Sequence, residues 1–285
     1  MQHQKLALTR LQELVPQAGT IKILVATCFV LAAIGPWDQP LTHWLAEHRV
    51  ASFAQYWHQS IFEGDPIGAS DYPVFLYIIA LVVLILILPW KAKHDRLARL
   101  WLWSSFILYS GLVTAIGFIH PLKHLWGRAR PYLVAKDEAP FSPWYLPGAF
   151  DWMSDRFSGS LPSGHTSTFL ILITLSYCIY HRFYRQKTRL ILVLALLASI
   201  SLSFAMGVSR SMQMQHWVTD WILSVGGGWA LIHYLFYQVW KMDQRLTPTS
   251  HGKTPSLSAM TLIAIPILML GWFLSLRLLW SLLGR

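Results

Sequence analysis

Apolar residues along this chain gather into blocks about as long as a helix needs to cross a hydrocarbon core of about 30 Å. Seven blocks stand out, near residues 21–36, 73–90, 100–119, 166–181, 190–208, 217–240 and 257–283. The stretches from Val74 to Trp90 and from Leu190 to Val208 carry the plainest signal. The sixth block holds Asp220 and the run Gly226-Gly227-Gly228, so it does not read as a simple lipid-facing helix. The seventh holds Pro266 and Arg277 and reads as kinked or only partly inserted. This pattern predicts an all-α fold, a polytopic transmembrane helix bundle with six core spans and a seventh C-terminal span. Residues 1–240 make one transmembrane domain, and residues 241–285 a cytoplasmic linker and an additional helix. After the first block, Leu41, Trp44, Leu45, Val50, Phe53, Trp57 and Ile61 recur at helical spacing. They predict an amphipathic helix, either lying on the outer membrane surface or packed over the bundle.

Composition agrees with the pattern. Hydrophobic residues make up 54% of the chain and charged residues 13%, against about 25% charged in soluble domains. Tryptophan and tyrosine, 15 and 11 in number, suit membrane interfaces. The net charge of +10 follows topology. With a cytoplasmic N-terminus, the inner segments hold Lys5, Arg10 and Lys22, then Lys91 to Arg99, Arg182 to Arg189, and Lys241 to Lys253. Most of the basic residues then lie inside, as the positive-inside rule requires. Because they are scattered over short loops, nucleic acid is not an expected partner. The first block reads as a retained span rather than a cleaved leader, since no small-x-small site clearly follows it. Cys28 and Cys178 fall within spans and offer neither a disulfide framework nor metal-ligand spacing.

Three short segments break the apolar pattern, each where a span meets the outside. In the first, Lys123 and Arg130 stand seven residues apart, two turns on one helical face, and Pro131 ends the element. Two cations so placed suit a phosphate, and equally a collar that grips lipid headgroups. In the second, Pro162-Ser163-Gly164-His165 opens the fourth span. Ser163 and Gly164 would place a hydroxyl and unpaired backbone N–H groups at a helix N-terminus, an anion site or simply a capping turn. In the third, Ser209-Arg210 precedes His216 and Asp220, which are four residues apart and so share a helical face. A carboxylate there can take the hydrogen of one ring nitrogen and leave the other free to attack; the alternative is a buried polar pair that joins helices.

Taken together, Lys123 with six residues before Arg130-Pro131, then Pro162-Ser163-Gly164-His165, then Ser209-Arg210 with five residues before His216 and three more before Asp220, resembles the complete signature of the type 2 phosphatidic acid phosphatase superfamily. The signature spans roughly a third of the chain. The resemblance implies a metal-independent phosphatase site at the outer surface, with no cofactor. It implies that His216 is the nucleophile, that Asp220 orients it, and that His165 protonates the leaving oxygen and then activates water. Lys123, Arg130, Arg210, Ser163 and the Gly164 backbone would bind the phosphoryl oxygens. The predicted topology puts all three segments on one side, as a single site requires.

Three features depart from the common pattern: the seventh span, Arg128, and a long outer loop from Tyr132 to Ser160. Arg128 is expected to contact lipid headgroups, or else a second phosphate. The loop, with Trp144, Tyr145 and Trp152, is expected to cap the site or grip a headgroup. The resemblance implies a lipid phosphate as substrate and membrane lipids as partners, in a bacterial-type inner membrane with the site outside. Candidate lipids are undecaprenyl diphosphate, phosphatidylglycerophosphate, phosphatidic acid and lipid A phosphate. A phosphotransferase would use the same residues, and a non-catalytic anion or lipid transporter would use the cations alone. The oligomeric state has no signal in the sequence.

Overall fold

The computed structural model describes residues 2–57, 79–87, 95–119, 122–123, 126–146, 159–182 and 186–246. The expected seventh span, the loop centre with Trp152, and half of the second block lie outside the described residues. No strand occurs among the described residues; the backbone is helical throughout its regular parts. Helix α1 (Gln2–Ile34) runs through a tight turn at Gly35–Trp37, with Pro36 in its first positions, into α2 (Asp38–Glu47). A short α3 (Ala51–Gln55) follows. Then come α4 (Asp95–Leu112), which widens into a π-helical stretch at Val113–Ile119, and α5 (Pro131–Ala135), which begins on proline. After these lie α6 (Gly164–Thr168), α7 (Leu170–Arg182), α8 (Gln186–Met212), α9 (Val218–Tyr234) and α10 (Met242–Leu246).

Among the described residues, three stretches are long and apolar enough to cross a membrane: Ala18–Glu47, Leu97–Ile119 and Leu190–Met212. They correspond to the first, third and fifth apolar blocks. The fourth block is broken at Phe169, between α6 and α7. Large apolar side chains on α1 (Ile21, Val25, Phe29) and α8 (Leu190, Leu194, Leu197) point away from the protein. Such surfaces suit lipid tails and would be costly in water.

Helix α9 is the centre of the bundle, and its glycine run shows why. A β-carbon on Gly226 would lie 2.0 Å from Thr27 Oγ1 of α1. One on Gly227 would lie 2.5 Å from Phe118, and one on Gly228 2.2 Å from Leu170 Cδ1 of α7. Successive residues of a helix point about 100° apart, so the three glycines admit three different neighbours. Small residues at such positions let membrane helices approach closely.

The amphipathic segment after the first block is two short helices in its described part, separated at His48-Arg49-Val50, and it packs over the bundle. Leu41 and Leu45 rest on Leu31, Val218, Trp221 and Ile222, while Trp37, Trp44 and Tyr56 face outward. Asp38 and Thr42, on the inner face of α2, are buried, a placement that the apolar periodicity did not foretell.

Candidate active site at the junction of α8 and α9

Three chain segments converge beside the turn between α8 and α9. Residues 127–130 form an irregular segment between the other two. On one side the Ser160 N–H donates to the Arg128 carbonyl at 2.7 Å, and the Ser160 hydroxyl to the Ala129 carbonyl at 3.2 Å. On the other, the indole N–H of Trp217 donates to the Ala129 carbonyl at 2.8 Å, and the Tyr132 N–H to the Met214 carbonyl at 3.0 Å. Gly159 makes the approach possible, because a β-carbon there would sit 2.4 Å from the Lys123 carbonyl oxygen.

His216 lies in this turn, 1% exposed. Its Nδ1 is 2.7 Å from the Ser160 carbonyl oxygen. A carbonyl can only accept, so Nδ1 carries the hydrogen. In the neutral ring Nε2 then presents a bare lone pair, and Nε2 has no hydrogen-bond partner among the described residues. Burial, and then the charges of Lys123, Arg130, Arg210 and His165, hold the ring well below the usual imidazole range. His216 is therefore neutral at ordinary pH, with the Nε2 lone pair unprotonated.

The carboxylate of Asp220 was expected to take the ring hydrogen, and the geometry corrects this. Asp220 Oδ2 lies 3.6 Å from Nδ1, beyond a hydrogen bond. It accepts instead from the Trp217 N–H at 2.8 Å, closing the first turn of α9, while Oδ1 pairs with Arg128 at 2.8 Å. Asp220 thus supplies negative charge near the ring and fixes its loop, and the Ser160 carbonyl sets the tautomer.

The predicted phosphate-binding cations surround His216 closely enough to act on its charge. Lys123 is itself held down to about 8 by burial and then by Arg130 and Arg210, with Asp220 opposing. Arg130 ends its segment immediately before α5 and donates to the Gln215 side-chain carbonyl. Arg210, at the end of α8, donates to Gln213 Oε1 at 3.3 Å. A β-carbon on Gly164 would meet nothing closer than Ile119 at 3.8 Å and Lys123 Nζ at 3.9 Å. The Gly164 backbone therefore passes beside the ammonium with room for no more than a methyl group. Ser163 is fully buried; its hydroxyl accepts from Thr166 at 2.9 Å, and its N–H approaches the Asp220 carbonyl at 3.4 Å. His165 is partly exposed in α6.

Arg128 does not have either of its expected roles. It is 0% exposed and spends its donors within the protein. Nη2 pairs with Asp38 at 2.7 Å, and Nη1 with Asp220 and the Thr219 hydroxyl, each at 2.8 Å. Nε donates to the Ser142 carbonyl at 2.8 Å, and the guanidinium lies over the rings of Phe141 and Trp217, which pack edge-on against each other. It is unavailable to a headgroup or a second phosphate. Asp38 completes the network by accepting from the Thr219 N–H at 2.9 Å and from the Thr219 hydroxyl.

The sequence reading missed Asp38, Thr219 and the Ser160 carbonyl. Asp38 carried one weak signal, an acidic residue at the very end of an apolar block. Ser160 carried none, since a backbone carbonyl belongs to every residue type.

Comparison with known proteins adds one finding. A family model described as the PAP2 superfamily matches residues 104–244, which include all three convergent segments. No curated protein and no solved structure matches significantly. The matched stretch runs from within α4 to within α10 and holds Lys123, His165, His216 and Asp220 in the order of the signature, so the chain belongs to the PAP2 superfamily.

Proposed function

We propose that this chain is an integral membrane phosphatase. It hydrolyses a lipid phosphomonoester or diphosphate at the extracytoplasmic face of a bacterial-type inner membrane, through a phosphohistidine on His216. Members of the superfamily are phosphatases, and apolar helices long enough to span a membrane agree with a lipid substrate. The reading rests most heavily on one observation: a buried imidazole whose Nδ1–H is engaged by a carbonyl and whose Nε2 has no partner among the described residues. A purely structural histidine would use both nitrogens.

The steps follow from these groups. Lys123, Arg130 and Arg210 draw the phosphoryl oxygens in and neutralise charge that grows in the transition state. The Nε2 lone pair forms a bond to phosphorus as the bond from phosphorus to the leaving oxygen breaks. His165 gives that oxygen its proton. Water then attacks phosphorus, His165 takes the water proton, and the phosphorus–nitrogen bond breaks to free phosphate and His216. The Nδ1 hydrogen stays on the ring throughout, shared with Ser160.

The test is a panel of undecaprenyl diphosphate, phosphatidylglycerophosphate, phosphatidic acid and lipid A phosphate, given to purified protein in detergent with chelator present. Free phosphate should appear without an acceptor lipid. His165→Ala and His216→Ala should each lose at least about a hundredfold. Label that passes to an acceptor lipid, with no free phosphate released in its absence, would make the chain a transferase. Binding without turnover, kept in His216→Ala, would make it a transporter.

A further inference from the structure

We infer that Asp38, acting through the guanidinium of Arg128, is a positioning residue for the nucleophilic histidine. It sets the charge and placement of Asp220, and so the aim of His216. The inference rests on the phosphatase reading above.

The geometry separates two tasks of this carboxylate. Oδ1 accepts from the Thr219 N–H at 2.9 Å, one of the unpaired donors that begin α9. That task needs only an oxygen, and a serine or asparagine would serve. Oδ2 pairs with Arg128 at 2.7 Å, with both side chains almost wholly buried. That task needs a charge. Buried charges are costly unless paired, and a structure that asked only for a helix cap would not need one here.

The charge balance shows what the second carboxylate does. Arg128 also pairs with Asp220 at 2.8 Å. With Asp220 alone, Arg128 would cancel its charge. With Asp38 present, two carboxylates share one guanidinium, so the cluster carries up to one negative charge more than an Asp220–Arg128 pair alone. The groups whose charges reach His216 are otherwise cationic: Lys123, Arg130, Arg210 and, when protonated, His165. Asp220 is the acidic group nearest the ring, 3.6 Å from Nδ1. As Nε2 bonds to phosphorus the ring gains positive charge, so the residual negative charge across Arg128 favours the transition state over the resting enzyme.

The arrangement also carries α2 into the site. Asp38 is the first residue of a helix packed over α8 and α9, so the docking of that outer segment and the aim of the nucleophile are one event.

The experiment compares full-length wild type, Asp38→Asn and Asp38→Glu in detergent, using the fastest lipid of the panel. Active sites are counted by the burst of labelled phosphohistidine, so misfolded protein is discounted. A wild type that releases no phosphate defeats the phosphatase reading itself. Given wild-type turnover, Asp38→Asn should lower kcat per site about tenfold or more, with KM within about threefold of wild type. The acid limb of its pH–rate profile should move down by about half a unit or more, because a negative charge near His216 is gone. Asp38→Glu restores the charge and should return the limb to the wild-type position, with kcat still reduced about threefold or more by the longer arm. An Asp38→Asn enzyme with kcat per site within twofold of wild type, or with lost kcat and an unmoved limb, overturns the inference. If Asp38→Asn does not fold, Asp38→Glu decides: wild-type kcat per site overturns the inference, and reduced kcat at unchanged KM supports it.

Discussion

Replacing Arg128 by methionine removes one side chain and strands two carboxylates. Asp38 and Asp220 are 1% and 0% exposed, and both pair with this guanidinium. Breaking a buried pair by deleting one partner costs about 3–5 kcal/mol. Here the same group also satisfies the Ser142 carbonyl and the Thr219 hydroxyl. The loss therefore belongs at the top of that range, about 5 kcal/mol, a large share of the roughly 5–15 kcal/mol that holds a typical protein folded. At about 2–4 °C per kcal/mol for a chain of this order of size, Tm should fall by roughly 10–20 °C. The assay is the fraction of monodisperse protein left after heating in detergent. Arg128→Lys keeps the charge but cannot fork to both carboxylates, and should lose about half as much. Adding Asp38→Asn to Arg128→Met should recover part of the loss, since one stranded charge is gone. An arginine that merely touched headgroups would change stability by less than about 0.5 kcal/mol. A shift below about 2 °C for Arg128→Met would therefore refute the buried-network account.

Three further outcomes follow from the site and the bundle. Lys123 loses its proton near pH 8 in the free enzyme, and only the charged form attracts phosphate; kcat/KM should fall as pH rises above about 8, while Lys123→Arg should stay flat to about pH 9.5. Gly164→Ala should fold normally, because its nearest neighbours are 3.8 and 3.9 Å away, yet raise KM several-fold by setting a methyl beside the lysine that meets the phosphate. Gly226→Ala should destabilise the bundle by about 1–3 kcal/mol in the same heating assay, with Thr27→Ala giving partial relief because it removes the two closest atoms.

The parts of this protein that were legible in its sequence are those written in side-chain type and period. Apolar blocks gave helices at 100–119 and 190–208, and the spacing of Lys123, His165, His216 and Asp220 brought out the site. Gly226-Gly227-Gly228 marked the sixth block as unusual, and its meaning, three close neighbours on three sides, needed coordinates. Arg128 reads from the sequence as a headgroup contact, or else a ligand for a second phosphate, because it is a cation beside two others where a span meets the outside. Its two carboxylate partners lie 90 and 92 residues away in sequence, and no local pattern records them. Asp38 hid in an amphipathic periodicity that noticed only apolar positions. The tautomer of His216 depended on a backbone carbonyl, which side-chain patterns cannot specify. Four-residue spacing suggests a direct hydrogen bond from His216 to Asp220, and the structure differs: His216 precedes α9 rather than lying in it, so the regular i to i+4 geometry does not apply.

The most direct test of the account is chemical capture of the intermediate. Purified protein mixed with phosphorus-labelled lipid substrate and quenched within its first turnover should carry label that survives base and is lost in acid, on the peptide that contains His216. The label should be absent from His216→Ala. Substrate turned over with no such label, or label fixed to any other residue, would contradict the central claim that Nε2 of His216 is the attacking atom.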